Sequence, residues 1–173
     1  MQRCSKSIYL FNKIGLSTFA FFIILLVSCD QKPGKIDVGL RDQLKIVDQL
    51  NFLNKPDSAK KILDQIRSKL TVSNPVICDY YCYKLQGHLN DADTMNLYAD
   101  SALAFFTNDS RKNDYPDEYF KSLLAKGDAC LKAKKYITAL SYYYKGKRVL
   151  PYSSCDDGYL SSKIGGIYFN QKN

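Results

Sequence analysis

Tryptophan is missing from this 173-residue chain, and histidine occurs once, at His88. A Ser/His/Asp triad would therefore have to be built on His88 alone, and a tetrahedral zinc site could draw on no second imidazole and on no CxxC pair. There is no GxSxG elbow and no glycine-rich phosphate loop. The nearest imitation of a catalytic motif, Ser58-x-x-Lys61, sits where a helix is expected to begin and reads as chance. No enzyme activity, metal or cofactor is expected. His88 reads as a surface or internally satisfied residue. The chain also lacks a block of like charge. Its formal net charge is +8, of which Arg3, Lys6 and Lys13 supply three in the first 28 residues with no acid beside them, leaving about +5 for the rest. Those lysines alternate with acids, as on solvated helix surfaces, so nucleic acid is not an expected partner.

Long hydrophobic runs are equally scarce: one exists, and it lies near the N-terminus. Residues 14–27 read IGLSTFAFFIILLV behind a basic start. That is the layout of a signal peptide, and the run falls short of the roughly 20 residues that span a bilayer core, which favours cleavage over an uncleaved anchor. The next residues are more specific. Leu26-Val27-Ser28-Cys29 resembles the lipobox of bacterial lipoproteins, followed by the polar Asp30-Gln31-Lys32-Pro33-Gly34. The resemblance implies a signal peptide over 1–28, lipidation of Cys29, and a tether over 29–39. Two or three acyl chains on Cys29 would hold the protein stably at a bilayer. The expected location is the cell envelope, in the inner or outer membrane, with the mature part outside the cytoplasm.

After residue 40 there is no strand-like alternation. Apolar residues recur at three- and four-residue spacings instead, predicting amphipathic helices and an all-α fold. Ala59, Ala99 and Ala139 lie 40 residues apart, and Gly87 lies 40 before Gly127. The period predicts a helix-turn-helix unit repeated over about 40–71, 80–111 and 120–151, with a partial copy over 158–173; in the first copy Val47 replaces the glycine, and Asp57-Ser58-Ala59 could instead match Asp100-Ser101-Ala102 at a 43-residue offset. The clearest unit, Phe120 to Pro151, resembles the tetratricopeptide repeat, and the resemblance implies that Gly127 and Ala139 lie where two antiparallel helices come closest, with the Tyr143 ring filling the groove between them. Pro56 is placed to open a second helix after the break at Asn54-Lys55-Pro56-Asp57. The polar stretch from Thr107 to Glu118 reads as a loop between repeats.

Two further features follow the same register. Gly165 takes the place of Gly127 in the final segment, whose Ile164, Ile167, Tyr168 and Phe169 form an apolar face in want of a partner. Self-association is expected through that face, and the stop within a fourth repeat points to a truncated or split parent, a natural end being the alternative. Cys78, Cys82, Cys130 and Cys155 are an even set in an exported chain, which admits disulfides. Cys78 and Cys82 lie four apart on one predicted helix and Cys130 holds a core position, which favours buried free thiols.

The segment FKSLLAKGDACLKAKKYITALSYYYKGKRVLP, from Phe120 to Pro151, resembles the tetratricopeptide repeat, with Leu123 and Cys130 replacing the usual Trp and Tyr. Together with the lipobox, PDSAKKILDQI and YADSALAFF, it is similar to the exported N-terminal repeat regions of Bacteroidota signalling proteins. Asp57-Ser58-Ala59 and Asp100-Ser101-Ala102 look like the O-glycosylation sequon of such proteins, ordinary helix residues being the simpler account. The resemblance implies an α-solenoid of antiparallel helix pairs, about three repeats plus a lone final helix. Its implied function is a membrane-tethered scaffold that binds a peptide or partner protein in the groove of the first helices. The alternative is the sensing fragment of a truncated histidine kinase or transcriptional regulator. The repeat register nominates Arg41, Asp48, Phe52, Tyr81, Lys84, His88, Lys121, Asp128 and Lys132 as facing that groove.

Overall fold

The computed structural model describes residues 37–149 and 155–171. The chain divides into two units, 1–32 and 33–173. The first unit, with the expected signal peptide and Cys29, lies outside the described residues.

The described part of the second unit is all-α. Helix α1 (Val38–Phe52) begins where the Asp37 carboxylate accepts a hydrogen bond from the Leu40 amide at 3.1 Å, satisfying one of the first-turn donors. Leu40, Leu44 and Val47, spaced four and three apart, bury one stripe of α1. The chain then turns through Asn54, whose φ of 55° lies in the left-handed region, and Pro56 opens α2 (Pro56–Arg67) in the helix's first turn, where its missing N–H has no intrahelical partner to lose. Ala59, Leu63 and Ile66 of α2 close on the α1 stripe.

Helix α3 (Val76–Gln86) differs from its neighbours. Val76, Ile77, Cys78, Asp79 and Tyr80 are all buried in succession, because α1, α2, α4 (Ala92–Leu103) and α6 (Pro116–Lys132) all pack on it. Helix α4 starts at Asp91, which caps the Asp93 and Thr94 amides, and buries Met95, Ala99 and Ala102. Helix α7 (Tyr136–Val149) returns against α6 after a turn at Lys134, whose φ is 58°. Helix α8 (Cys155–Asn170) packs on α7. Successive first helices touch (α1 with α3, α3 with α6), and each second helix also touches the first helix that follows it (α2 with α3, α4 with α6, α7 with α8).

Ala59, Ala99 and Ala139 are 2%, 1% and 0% exposed, so the 40-residue alanine period does mark tight packing positions. Two sequence expectations need correction. Residues 107–118 are not a loop: Asn108 accepts from the Arg111 amide at 2.9 Å and caps helix α5 (Asp109–Asp114). Arg111 then donates to the Phe105 carbonyl at 2.8 Å and lies over the Phe105 ring, while Tyr115 is buried among Ile77, Cys78, Phe105 and Phe106. A polar stretch thus becomes helical because one aromatic residue at its end is drawn into the core. Gly87 is not the counterpart of Gly127 either. It ends α3 as its C-cap, is exposed, and has only the Lys84 carbonyl oxygen near its would-be Cβ.

The final helix resolves its apolar residues onto two sides. Leu160, Ile164 and Ile167 are buried against Phe120, Cys130, Ala139 and Tyr143, whereas Tyr168 and Phe169 are exposed. A Cβ at Gly165 or Gly166 would meet nothing within 4 Å, so the side that carries them has no covering element among the described residues. No described helix is long and apolar enough to cross a membrane.

Candidate functional site

A cleft of about 520 Å³ lies between α3, α6 and α8. Its apolar lining comes from Cys82, Leu85, Leu89, Leu124, Ala125 and Tyr159, and its ionic rim from Asp79, Lys121, Asp128 and Lys163. The helical register explains the arrangement: Lys121, Leu124, Ala125 and Asp128 recur at three- and four-residue intervals and so share one face of α6.

Each rim lysine has a carboxylate partner. Lys121 Nζ donates to Asp79 Oδ1 at 3.0 Å, and Lys163 Nζ lies 3.0 Å from Asp128 Oδ1. Burial acts to lower both ammonium pKa values. The Asp79 charge and hydrogen bond at Lys121, and the hydrogen bonds of Tyr159 and Asp128 at Lys163, outweigh it and hold both above the usual lysine range. Asp128 also accepts from the Tyr143 hydroxyl at 2.6 Å. Each acid therefore has more than one cationic or hydroxyl partner, because Asp79 is also 3.8 Å from Arg41 Nε. The Cys82 thiol on the cleft wall is pushed up to about 12, by burial first and by the Asp79 charge next, which suppresses the thiolate.

The sequence-nominated residues distribute unevenly. Lys121 and Asp128 line the cleft. Arg41 lies behind it, paired with Asp79 and with Glu118 of α6. Lys84 and His88 border a smaller depression of about 200 Å³ beside Pro56, Lys60 and Tyr83, and His88, in the turn after α3, leans on the Tyr98 ring. Tyr81 stacks on Tyr98 at 6.3 Å between centroids. Asp48 and Lys132 are exposed, and Phe52, 90% exposed at the end of α1, borders neither depression.

Sequence reasoning missed Asp79, Glu118, Tyr159 and Lys163. Asp79 carried a signal: it is the lone acid in the apolar run VICDYYCY, and a charge placed there must be paired to be tolerated. Among the described residues no group of three His, Cys, Asp or Glu side chains could hold a metal, and Cys78, Cys82 and Cys130 are free thiols. No family model matches the chain, and no curated protein or solved structure matches it either.

Proposed function

We propose that this chain is a lipid-tethered, tetratricopeptide-like scaffold of the cell envelope that captures a peptide or partner-protein segment on its first helices. One observation carries the reading: α3, α6 and α8 together frame a cleft that combines apolar side chains with ion pairs. The contact order of the helices supports it, since hairpins that each touch the next hairpin are how repeat scaffolds build an elongated binding face. A leucine- or phenylalanine-sized anchor entering the cleft would gain roughly 1.5–3 kcal/mol from burial, and the rim charges would orient the backbone on either side. Lipidation at Cys29 would confine that capture to a bilayer surface.

The test is selection of a displayed random-peptide library on the purified full chain in mild detergent. Peptides with a bulky apolar residue should be enriched and should lose binding at least tenfold to Leu89→Glu, which places a charge on the exposed cleft edge without touching the core. Failure to enrich any peptide, or equal binding to Leu89→Glu, would remove the cleft from consideration.

A further inference from the structure

Arg41 stands in the first helix of the first hairpin, yet one of its two acidic partners is in the third. Its Nη2 pairs with Glu118 Oε1 on α6, and its Nε lies 3.8 Å from Asp79 Oδ2 on α3. The backbone offers no such link, since among the described residues α1 packs only on α2 and α3. In a stack of repeats each unit ordinarily touches its immediate neighbours alone, so the ends loosen independently. Here one guanidinium spans the middle hairpin. Its planar fork presents several donors in fixed directions, which lets a single side chain serve two acids on different helices.

The surroundings make the span consequential. The Asp79 and Glu118 side chains are 6% and 5% exposed, whereas Arg41 is 34% and Lys121 53% exposed. Among the described residues Arg41 and Lys121 are the cations paired with these acids, Lys121 with Asp79 and Arg41 with both. Were α1 to move away, Glu118 would lose the cation paired with it, and breaking an ion pair whose acid is buried costs more than losing a surface pair. Arg41 Nε is buried and has no hydrogen-bond acceptor among the described residues, so its link to Asp79 at 3.8 Å is an ion pair and not a hydrogen bond.

We propose that Arg41 is a clasp: it couples opening of the hairpin nearest the expected tether to opening of the first turns of α6, and so fixes the wall of the cleft that Asp79 and Lys121 form. The coupling works in both directions. A change made at Glu118 must be felt in α1, although the backbones of α1 and α6 are not in contact.

Native-state hydrogen exchange on the full chain tests this, read at the amides of Leu44 to Val47 in α1, of Phe120 to Leu124 in α6, and of Ala139 to Tyr143 in α7 as a reference. Arg41→Met is expected to speed exchange at least tenfold in both the α1 and α6 sets while leaving α7 near wild type. Glu118→Gln, a milder change that keeps the side-chain volume, is expected to speed α1 exchange by a comparable factor. In Arg41→Met/Glu118→Gln no unpaired buried charge remains at position 118, so exchange should fall short of the product of the two single effects. The clasp is overturned if Glu118→Gln leaves α1 exchange unchanged, if Arg41→Met acts on α1 alone, or if the two effects multiply independently. Should Arg41→Met fail to fold, the Glu118→Gln result decides by itself.

Discussion

The ring of Tyr143 lies against Gly127: a Cβ built on that glycine would come within 2.4 Å of Tyr143 Cε1. Tyr143 is fully buried, and its hydroxyl is held by Asp128, the residue next to Gly127, so the ring has no direction in which to retreat. Closest approach of α6 and α7 thus depends on a missing side chain. Gly127→Ala should destabilise by about 1–3 kcal/mol from overpacking, offset in part by the roughly 1 kcal/mol of helix propensity that alanine brings. Gly165→Ala and Gly166→Ala, which meet nothing within 4 Å, should gain that propensity without the clash and raise the melting temperature. Thermal melts of the three variants decide the matter, and a common sign for all three would contradict the packing described.

The turns at Asn54 and Lys134, 80 residues apart, both adopt left-handed backbone, with φ of 55° and 58°. Asparagine tolerates that region and lysine does so at a cost of about 1 kcal/mol or more. Lys134→Gly should therefore stabilise the chain by roughly 1 kcal/mol, Asn54→Gly by less, and Lys134→Val should be destabilising because a β-branched residue suits that region least. Chemical denaturation midpoints give the order, and Lys134→Val matching wild type would refute it.

Alkaline pH should unfold this protein through its buried tyrosines. Burial first, then the hydrogen bond and charge of Asp128, push the Tyr143 hydroxyl far above its ordinary value of 10.0. In the unfolded chain that hydroxyl ionises near pH 10, so the native state binds the extra proton. The associated stability is complete below about pH 10 and drains away as pH rises beyond it, by about 1.4 kcal/mol per pH unit for one such group. Burial likewise raises Tyr80, Tyr83 and Tyr115. Tyr143→Phe should lose about 0.5–1.5 kcal/mol at neutral pH and show a shallower decline between pH 10 and 11.5. Unfolding free energies across that range measure the slopes, and parallel slopes would show that Tyr143 is not the group responsible.

Lipidation rests on Leu26-Val27-Ser28-Cys29 behind its apolar run. Metabolic labelling with a palmitate analogue is expected to mark the wild-type protein and to spare Cys29→Ala. A mature chain that still begins at Met1, or equal labelling of the two, would count against the tether.

Much of the fold was legible because its determinants are local. Leu40, Leu44 and Val47 announce a helix face by spacing alone, Pro56 announces a helix start by its fixed φ, and Gly127 with Tyr143 announces a close helix crossing by size. The same locality misled at Gly87, where one repeated glycine looked like another, although α3 had already ended. It misled again over Asp109–Asp114, whose polar composition hid a helix held by the Asn108 cap and the burial of Tyr115.

The site was less legible. Lys121 and Asp128 could be chosen from their helix face, but their partners Asp79 and Lys163 lie on other helices, 42 and 35 residues away. Periodicity and residue size act over one or two helical turns, so the sequence by itself determined that the chain folds into helices, where the alanines pack and where Pro56 starts a helix. Which charge meets which depends on how separate helices lie side by side, and a side chain's partner across that gap has no fixed sequence spacing. Only the tertiary structure therefore decided that Arg41 joins Asp79 to Glu118, and that a cleft lined by apolar and ionic side chains opens between α3, α6 and α8.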